Sequence, residues 1–446
     1  KFLNVETSRL DWHRKNQAQL RVDQYRGLMD ALESEANEVE GRLGRVVILA
    51  SSFEGSARNM NEHYHDAMAI VAKYGFPELF ITMTANTEWR EIIENLHQNQ
   101  TAFERPDLID RVFKKKLNHL MEIIYKKGYF GRCQAYVYTI EYQKRGLPHA
   151  HIIVWLIDGD KLDTPEKIDR YISAQIPPDN PDYEFVREIV LKHMVHTCMP
   201  NRCLNEDGEC NRKFPKPFEA ETVIENDGYP RYRREHAPSV VYNGKTIDNS
   251  MIVPHNLYLL KTFQCHINAE IVRTIKAVAY LFKYIFKGND RAQVRVTTDG
   301  ENEIVHDEVR NYIDSRYTAA CEAIWRLLEF PMHDKSHAVY RLPVNLPQEQ
   351  PVYFNEDDDA EQIRRLCERA ARTDNMLTAF FKLNAQDSNA NEFLYTELCE
   401  HYVWNKRSKK WEPRQRHVPI ISRIYYVSAR ESDRFYLRLL LQNVKG

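Results

Sequence analysis

No stretch of this sequence stays apolar for the roughly 18 residues that a membrane-spanning helix needs. Its first residues also lack the charged-then-apolar pattern of a secretory signal. Both absences argue against a membrane partner. Neither sign of charge is in surplus: 62 Lys and Arg stand against 64 Asp and Glu, a formal net charge of −2, so composition does not by itself mark a nucleic-acid binder. No Gly-x-x-x-x-Gly-Lys-Ser/Thr string occurs, so these residues carry no P-loop motor. The 8 cysteines include no Cys-x-x-Cys pair, and without a secretory signal they are expected to be thiols in a reducing compartment. Internal repeats and long low-complexity segments are absent too. The first residue is Lys1 rather than Met, so the chain is expected to be part of something longer.

What is present is an ordinary globular composition, 43% hydrophobic and 28% charged, over 446 residues, which is long enough for two to three domains. Basic residues cluster at Lys114–Lys116, Lys126–Lys127, Arg231–Arg234 and Lys406–Arg416, and Asp357–Asp359 form a separate acidic loop. Residues 1–40, 59–74, 107–127, 268–287 and 308–328 read as helices. Asn268 is the expected N-cap and Gly288 the expected C-cap of the fourth. Val46–Leu49 and Leu79–Thr84 read as strands. The strongest β signal is Gln134–Tyr142, a connection containing Gly146 and Pro148, then His149–Leu156, which together predict an antiparallel hairpin.

Two constellations carry chemistry. His149 and His151 are two apart on a predicted strand, so both imidazoles point to one face. Glu141 and Gln143 share a face of the partner strand, and either could add an oxygen ligand. Two nitrogens and one oxygen leave open positions on a divalent ion for a phosphate oxygen. A carboxylate suits a hard cation better than an amide, which favours Glu141 with Gln143 as the alternative. On the predicted helix, Ile275, Val278, Phe282 and Ile285 make an apolar stripe. Tyr280 and Tyr284 lie on the opposite stripe with Lys276, Lys283 and Lys287. Two phenols one turn apart in a positive field form a candidate nucleophile pair. Tyrosine's pKa of about 10 means it needs such help to attack near neutral pH.

The strings Phe80–Asn86, Glu141–His151 and Tyr280–Gly288, in that order, resemble the three Rep motifs of Helitron transposases within the HUH endonuclease superfamily. Arg105–Leu108, Val253–Asn256 and Arg434–Leu440 are also similar to that family. The resemblance implies an α+β fold with a ferredoxin-like HUH core around a central antiparallel sheet. It implies His149 and His151 as metal ligands, Tyr280 and Tyr284 as nucleophiles, and a helicase domain downstream. The organisation expected is a mostly helical region over 1–75, an endonuclease domain over 76–290 with a Cys-rich insertion at 190–235, and a mixed C-terminal region over 291–446. In Ala150 the residue between the histidines is smaller than the bulky apolar residue many superfamily members carry.

His196, Cys198, Cys203 and Cys210, with His193 close by, offer N and S ligands for a structural Zn²⁺. The basic residues that follow, Arg231, Arg233 and Arg234 among them, would let such a knuckle hold a DNA backbone. Trp89, Tyr229 and Tyr232 are candidates to stack on unpaired bases. Taken together, the sequence predicts a Mg²⁺- or Mn²⁺-dependent endonuclease that cuts single-stranded DNA, stays attached through a 5′-phosphotyrosine and works in the nucleus. The alternatives are a two-tyrosine replication initiator or relaxase, and a non-catalytic DNA-binding module.

Overall fold

Period-two alternation of apolar residues folds into a five-stranded sheet. The computed structural model describes residues 1–17, 42–43, 47–142, 146–200, 203–224, 230–272, 297–299, 303–305, 307–314, 318–346 and 360–446. They fall into two units: one from Tyr74–Phe286 and Thr318–Lys335, the other from Lys1–Lys73, Lys287–Tyr317 and Ser336–Gly446.

The sheet belongs to the first unit. In chain order that unit contains β1 (Leu79–Thr84), α1 (Pro106–Met121), β2 (Cys133–Tyr142), β3 (Pro148–Leu156), α2 (Glu184–His193), α3 (Leu257–Phe263), β4 (Ile267–Ile271), α4 (Ala320–Leu327) and β5 (His333–Lys335). The strands lie in the order β5-β2-β3-β1-β4, every neighbouring pair antiparallel. The protein is thus α+β with a central antiparallel sheet. One face is apolar. Leu79, Ile81 and Met83, Tyr138 and Ile140, Ala150, Ile152 and Val154, and Ile267, Ala269 and Ile271 all join one core. Ile109, Phe113, Leu117 and Leu120 of α1, spaced by four, four and three residues, enter the same core. Burying each such side chain contributes about 1.5–3 kcal/mol. Pro106 starts α1 without wasting an N–H, and Arg105 grips Asp107 through two bonds of 3.0 Å beside it.

The predicted hairpin and the 79–84 strand are present. Three expectations change. Residues 267–271 are a strand, and Asn268 pairs with Thr82 instead of capping a helix. The burial there alternates, Ile267, Ala269 and Ile271 facing the core, which is strand periodicity. The region read as one helix over 308–328 holds two, Glu308–Asp314 and Ala320–Leu327, one in each unit. Of Val46–Leu49, the described part makes only a single bridge, Val47 with Asp307. Of the helix expected over 1–40, Phe2–Lys15 is present and residues 18–41 lie outside the described residues.

The second unit has its own cores. Leu10, Val47, Leu49, Phe53, Val309 and Tyr312 form one, closed by the Tyr312 hydroxyl donating to Glu6 at 2.6 Å. A larger one surrounds Trp404, Trp411, Phe380 and Tyr395, beside a parallel strand pair, Ala338–Leu342 with Ile420–Ile424. Asp66, almost fully buried, meets Arg423 at 2.8 Å and Arg341 at 3.4 Å. Both its oxygens are thus paired, as a buried carboxylate requires.

Candidate metal centre

The other face of the sheet is polar where the hairpin crosses its middle. His149 stands opposite Glu141 on β2 and Thr84 on β1, and His151 stands opposite Thr139 and Thr82. Strand register therefore brings the Glu141 carboxylate beside two histidines that lie eight and ten residues further along the chain. Gly146, at φ 76°, takes the left-handed conformation in the hairpin connection.

Each imidazole is held by its neighbours. The His149 Nδ1 lies 3.1 Å from the Leu147 carbonyl oxygen. A carbonyl can only accept, so Nδ1 carries the proton and Nε2 keeps its lone pair for a ligand. Burial pulls the His149 pKa down to about 4, keeping the ring neutral, which is the form that binds metal. His151 stacks parallel to Phe80, centroids 5.7 Å apart. Its Nε2 lies 3.0 Å from Glu141 Oε2 and its Nδ1 3.2 Å from Thr82 Oγ1. With Glu141 ionised, Nε2–H donates to the carboxylate and Nδ1 accepts the Thr82 hydroxyl. A proton thus occupies the place between His151 and Glu141 that a cation would take.

The donor set fits a hard divalent ion in part. Adjacent ligands of an octahedral ion with bonds of about 2.1 Å are about 3.0 Å apart, and the His151–Glu141 separation is 3.0 Å. The three potential ligand atoms are not all within 4.8 Å of one another, however. A metal held by all three requires a side-chain rotation at the site. Gln143, Tyr280, Tyr284, Lys276, Lys283, Lys287 and Tyr229 lie outside the described residues.

Other expected DNA contacts divide. Trp89 is only 3% exposed and its indole N–H donates to the Phe263 carbonyl at 2.7 Å, so its ring is core and has no face free for a base. Tyr232 is likewise buried, its hydroxyl accepting the Ile271 N–H at 2.8 Å. Arg234 is 3% exposed, and its guanidinium donates to the carbonyls of Ala174, Asn249 and Ile252 at 2.9, 2.9 and 2.7 Å. It is a structural clamp and not a phosphate contact. Arg231 and Arg233 remain exposed, beside Glu219 at 3.3 Å and Glu235 at 3.9 Å.

The sequence reading missed three polar groups of this face. Asn268 stands beside Thr82 on β4, and the residue two before it, His266, accepts the Thr84 N–H at its backbone oxygen. His266 is close enough to His149 for their charges to repel, and burial pulls its pKa to about 4. On the opposite side, Thr139 Oγ1 lies 2.8 Å from His333 Nδ1 on β5. The spacing of His266 and Asn268 repeats that of His149 and His151 and was the available signal. Nothing local marked His333. The four zinc candidates do converge: the ligand atoms of His196, Cys198, Cys203 and Cys210 all lie within 4.8 Å of one another.

Residues 1–154 match the family model described as the Helitron helicase-like domain at N-terminus. The chain carries a Helitron-type N-terminal domain. The matched Helitron region contains β1, α1, β2 and all but the last two residues of β3, and so includes Glu141, His149 and His151. It ends before the cysteine cluster and before Tyr280. No curated protein matches the chain. No helix among the described residues is long and apolar enough to cross a membrane.

Proposed function

We propose that this chain is the nuclease portion of a Helitron-type rolling-circle transposase, with an HUH core that cuts single-stranded DNA and retains its 5′ end. The observation that supports it is the juxtaposition of His149, His151 and Glu141 on the polar face of the central hairpin, inside the Helitron-type region. His149, through Nε2, and His151 and Glu141, once the proton between them leaves, would hold Mg²⁺ or Mn²⁺. The bound ion would supply charge neutralisation at the scissile phosphate. Thr82 and Phe80 orient His151, and the Leu147 carbonyl fixes the His149 tautomer.

In the reaction, a phenol oxygen of Tyr280 or Tyr284 attacks phosphorus in line. The phenolic proton is lost, the bond from phosphorus to the 3′ oxygen breaks, and that oxygen takes up a proton as a free 3′-OH. The 5′ side remains as a phosphotyrosine diester. A 3′-OH attacking that diester reverses the step, joins strands and needs no ATP. Two phenols four residues apart in the sequence allow one cut and one later transfer, with Tyr280 assigned the first. An enzyme acting on chromosomal DNA would work in the nucleus of a eukaryotic host.

The test is incubation of the full chain with single-stranded oligonucleotides and Mg²⁺ or Mn²⁺, resolved on a denaturing gel. A covalent adduct is expected with the parent, none with His151→Ala, and none with the Tyr280→Phe/Tyr284→Phe double variant. Loss of adduct in Tyr280→Phe alone supports the order assigned; loss only in Tyr284→Phe reverses it. An undiminished adduct in the double variant rules out both tyrosines.

A further inference from the structure

We propose that His196, Cys198, Cys203 and Cys210 bind one structural zinc ion that cross-links the 196–216 segment and holds its basic end beside the histidine-bearing sheet. In a tetrahedral site with bonds of about 2.3 Å to sulfur and 2.0–2.1 Å to nitrogen, ligand atoms are about 3.5–3.8 Å apart. The four atoms here lie within 4.8 Å of one another, and His196 Nε2 is 3.3 Å from Cys210 Sγ. Adjustments of a few tenths of an ångström to about one ångström close the set.

Three further features point to a cation. First, the sulfurs face backbone donors. Cys210 Sγ accepts from the N–H groups of Arg212 and Phe214, and Cys203 Sγ is 3.4 Å from the Met199 N–H. N–H groups aimed at sulfur are the outer partners that a metal-bound cysteine sulfur takes. Second, three thiolates and an imidazole leave a zinc site with net charge −1, and the cations Arg212 and Lys216 lie close to His196. Their charge offsets that of the site. Third, the segment has little else to order it. Between α2 and the short strand at Val223, no helix or strand of two or more residues occurs among the described residues, and past Met194, which ends α2 in the main core, Cys203 is the one buried apolar residue described there. Ordering some 25 residues without a core costs tens of kcal/mol of conformational entropy, which metal cross-links commonly offset in small core-poor modules.

The wide spacings, which weakened the sequence signal, are closed by the backbone. Leu204 and Cys210 form a bridge around a turn in which Gly208 has φ 77°, which returns Cys210 to Cys203. The Asn211 N–H donates to the Cys203 carbonyl at 2.6 Å. Both ends of the loop are moored to one stretch of chain: the His196 N–H donates to Met251 O at 2.8 Å and the Lys216 N–H to Ser250 O at 2.9 Å. That stretch is the one Arg234 clamps through Asn249 and Ile252. The cross-link therefore fixes the loop at its base. Arg212 is held near His266, which is itself near His149. The site does not depend on the nuclease reading, and its test does not use DNA.

The full chain, purified without added metal, is expected to contain about one zinc per chain by elemental analysis. Cobalt exchanged into it should give the visible bands of tetrahedral Co²⁺ together with thiolate charge transfer. Cys198→Ser and Cys210→Ser should each lose the metal, whereas Cys133→Ser, outside the cluster, should keep it. If the serine variants do not fold, the parent alone decides. Chelation should make three additional thiols reactive to an alkylating agent and should open the 196–216 segment to protease before the sheet. Zinc-free parent that takes up no cobalt, a disulfide among the three cysteines, or zinc retained in the triple serine variant would overturn the proposal.

Discussion

His255 makes the sheet unit sensitive to acid, and the size of the effect follows from its surroundings. The residue is fully buried, its ring Nδ1 donates to the Val253 carbonyl at 2.9 Å, and Nε2 has no partner among the described residues. Burial, with Arg234 as the nearby cation, lowers its pKa from 6.5 to about 4. Folding therefore keeps the ring neutral, while the unfolded chain takes up a proton below about pH 6.5. The stability this histidine allows is present above that value and falls as pH drops toward 4. Between pH 7 and pH 5 the loss is about 2 kcal/mol for one such group. His149 and His266 are lowered in the same way to about 4, so the three together cost about 6 kcal/mol over that interval. A domain stability of about 5–15 kcal/mol does not absorb that comfortably. His255→Asn keeps a donor near the Val253 carbonyl and removes the titration. Urea unfolding read by hydrogen exchange in β3 peptides, at pH 7 and pH 5, isolates this unit. The variant is expected to be less stable at pH 7, because the side chain is smaller, but to lose about 2 kcal/mol less than the parent on acidification. Parallel losses in parent and variant would show that His255 is not held neutral by the fold, and the reasoning would fail.

Two further outcomes are expected. Arg234→Met removes the guanidinium from three buried carbonyls and should destabilise the protein by about 3 kcal/mol or more in urea unfolding, with single-strand affinity per folded molecule unchanged; a loss of affinity at unchanged stability would return Arg234 to the DNA contacts. Glu141→Gln should weaken Mn²⁺ binding by about 10-fold or more in a titration followed by electron paramagnetic resonance, and unaltered binding would exclude this carboxylate as a ligand.

The parts of the site that are local in sequence were legible. The β2–β3 hairpin announces itself through alternation and a short connection, and register then follows, so Glu141 opposite His149 was readable in outline. The 267–271 strand was not. Asn268 ahead of a longer apolar pattern has the chemistry of a helix cap, and five residues of alternation are too few to outweigh it. The structure decides by giving Asn268 a strand partner in Thr82. His333 belongs to a three-residue strand with no pattern of its own, recruited by the open edge of β2. Arg234 and Trp89 were read as DNA contacts because charge and aromaticity are visible in a sequence and burial is not. Each proves to face inward, against backbone carbonyls that only the fold assembles.

The strand order β5-β2-β3-β1-β4 has a consequence for synthesis and for handling the protein. Five residues separate β2 from β3, but β4 starts at Ile267 and β5 at His333. As the chain leaves the ribosome, the hairpin and β1 can associate long before either outer strand exists. During that interval both borders of a three-stranded sheet stand open, a template for pairing with another nascent chain. A fragment cut where the family match stops, at residue 154, would remain in that condition permanently. It would also lack the two last residues of its middle strand. The boundary drawn by similarity is thus not a boundary of independent folding, and material trimmed to it is expected to aggregate even though it holds both histidines.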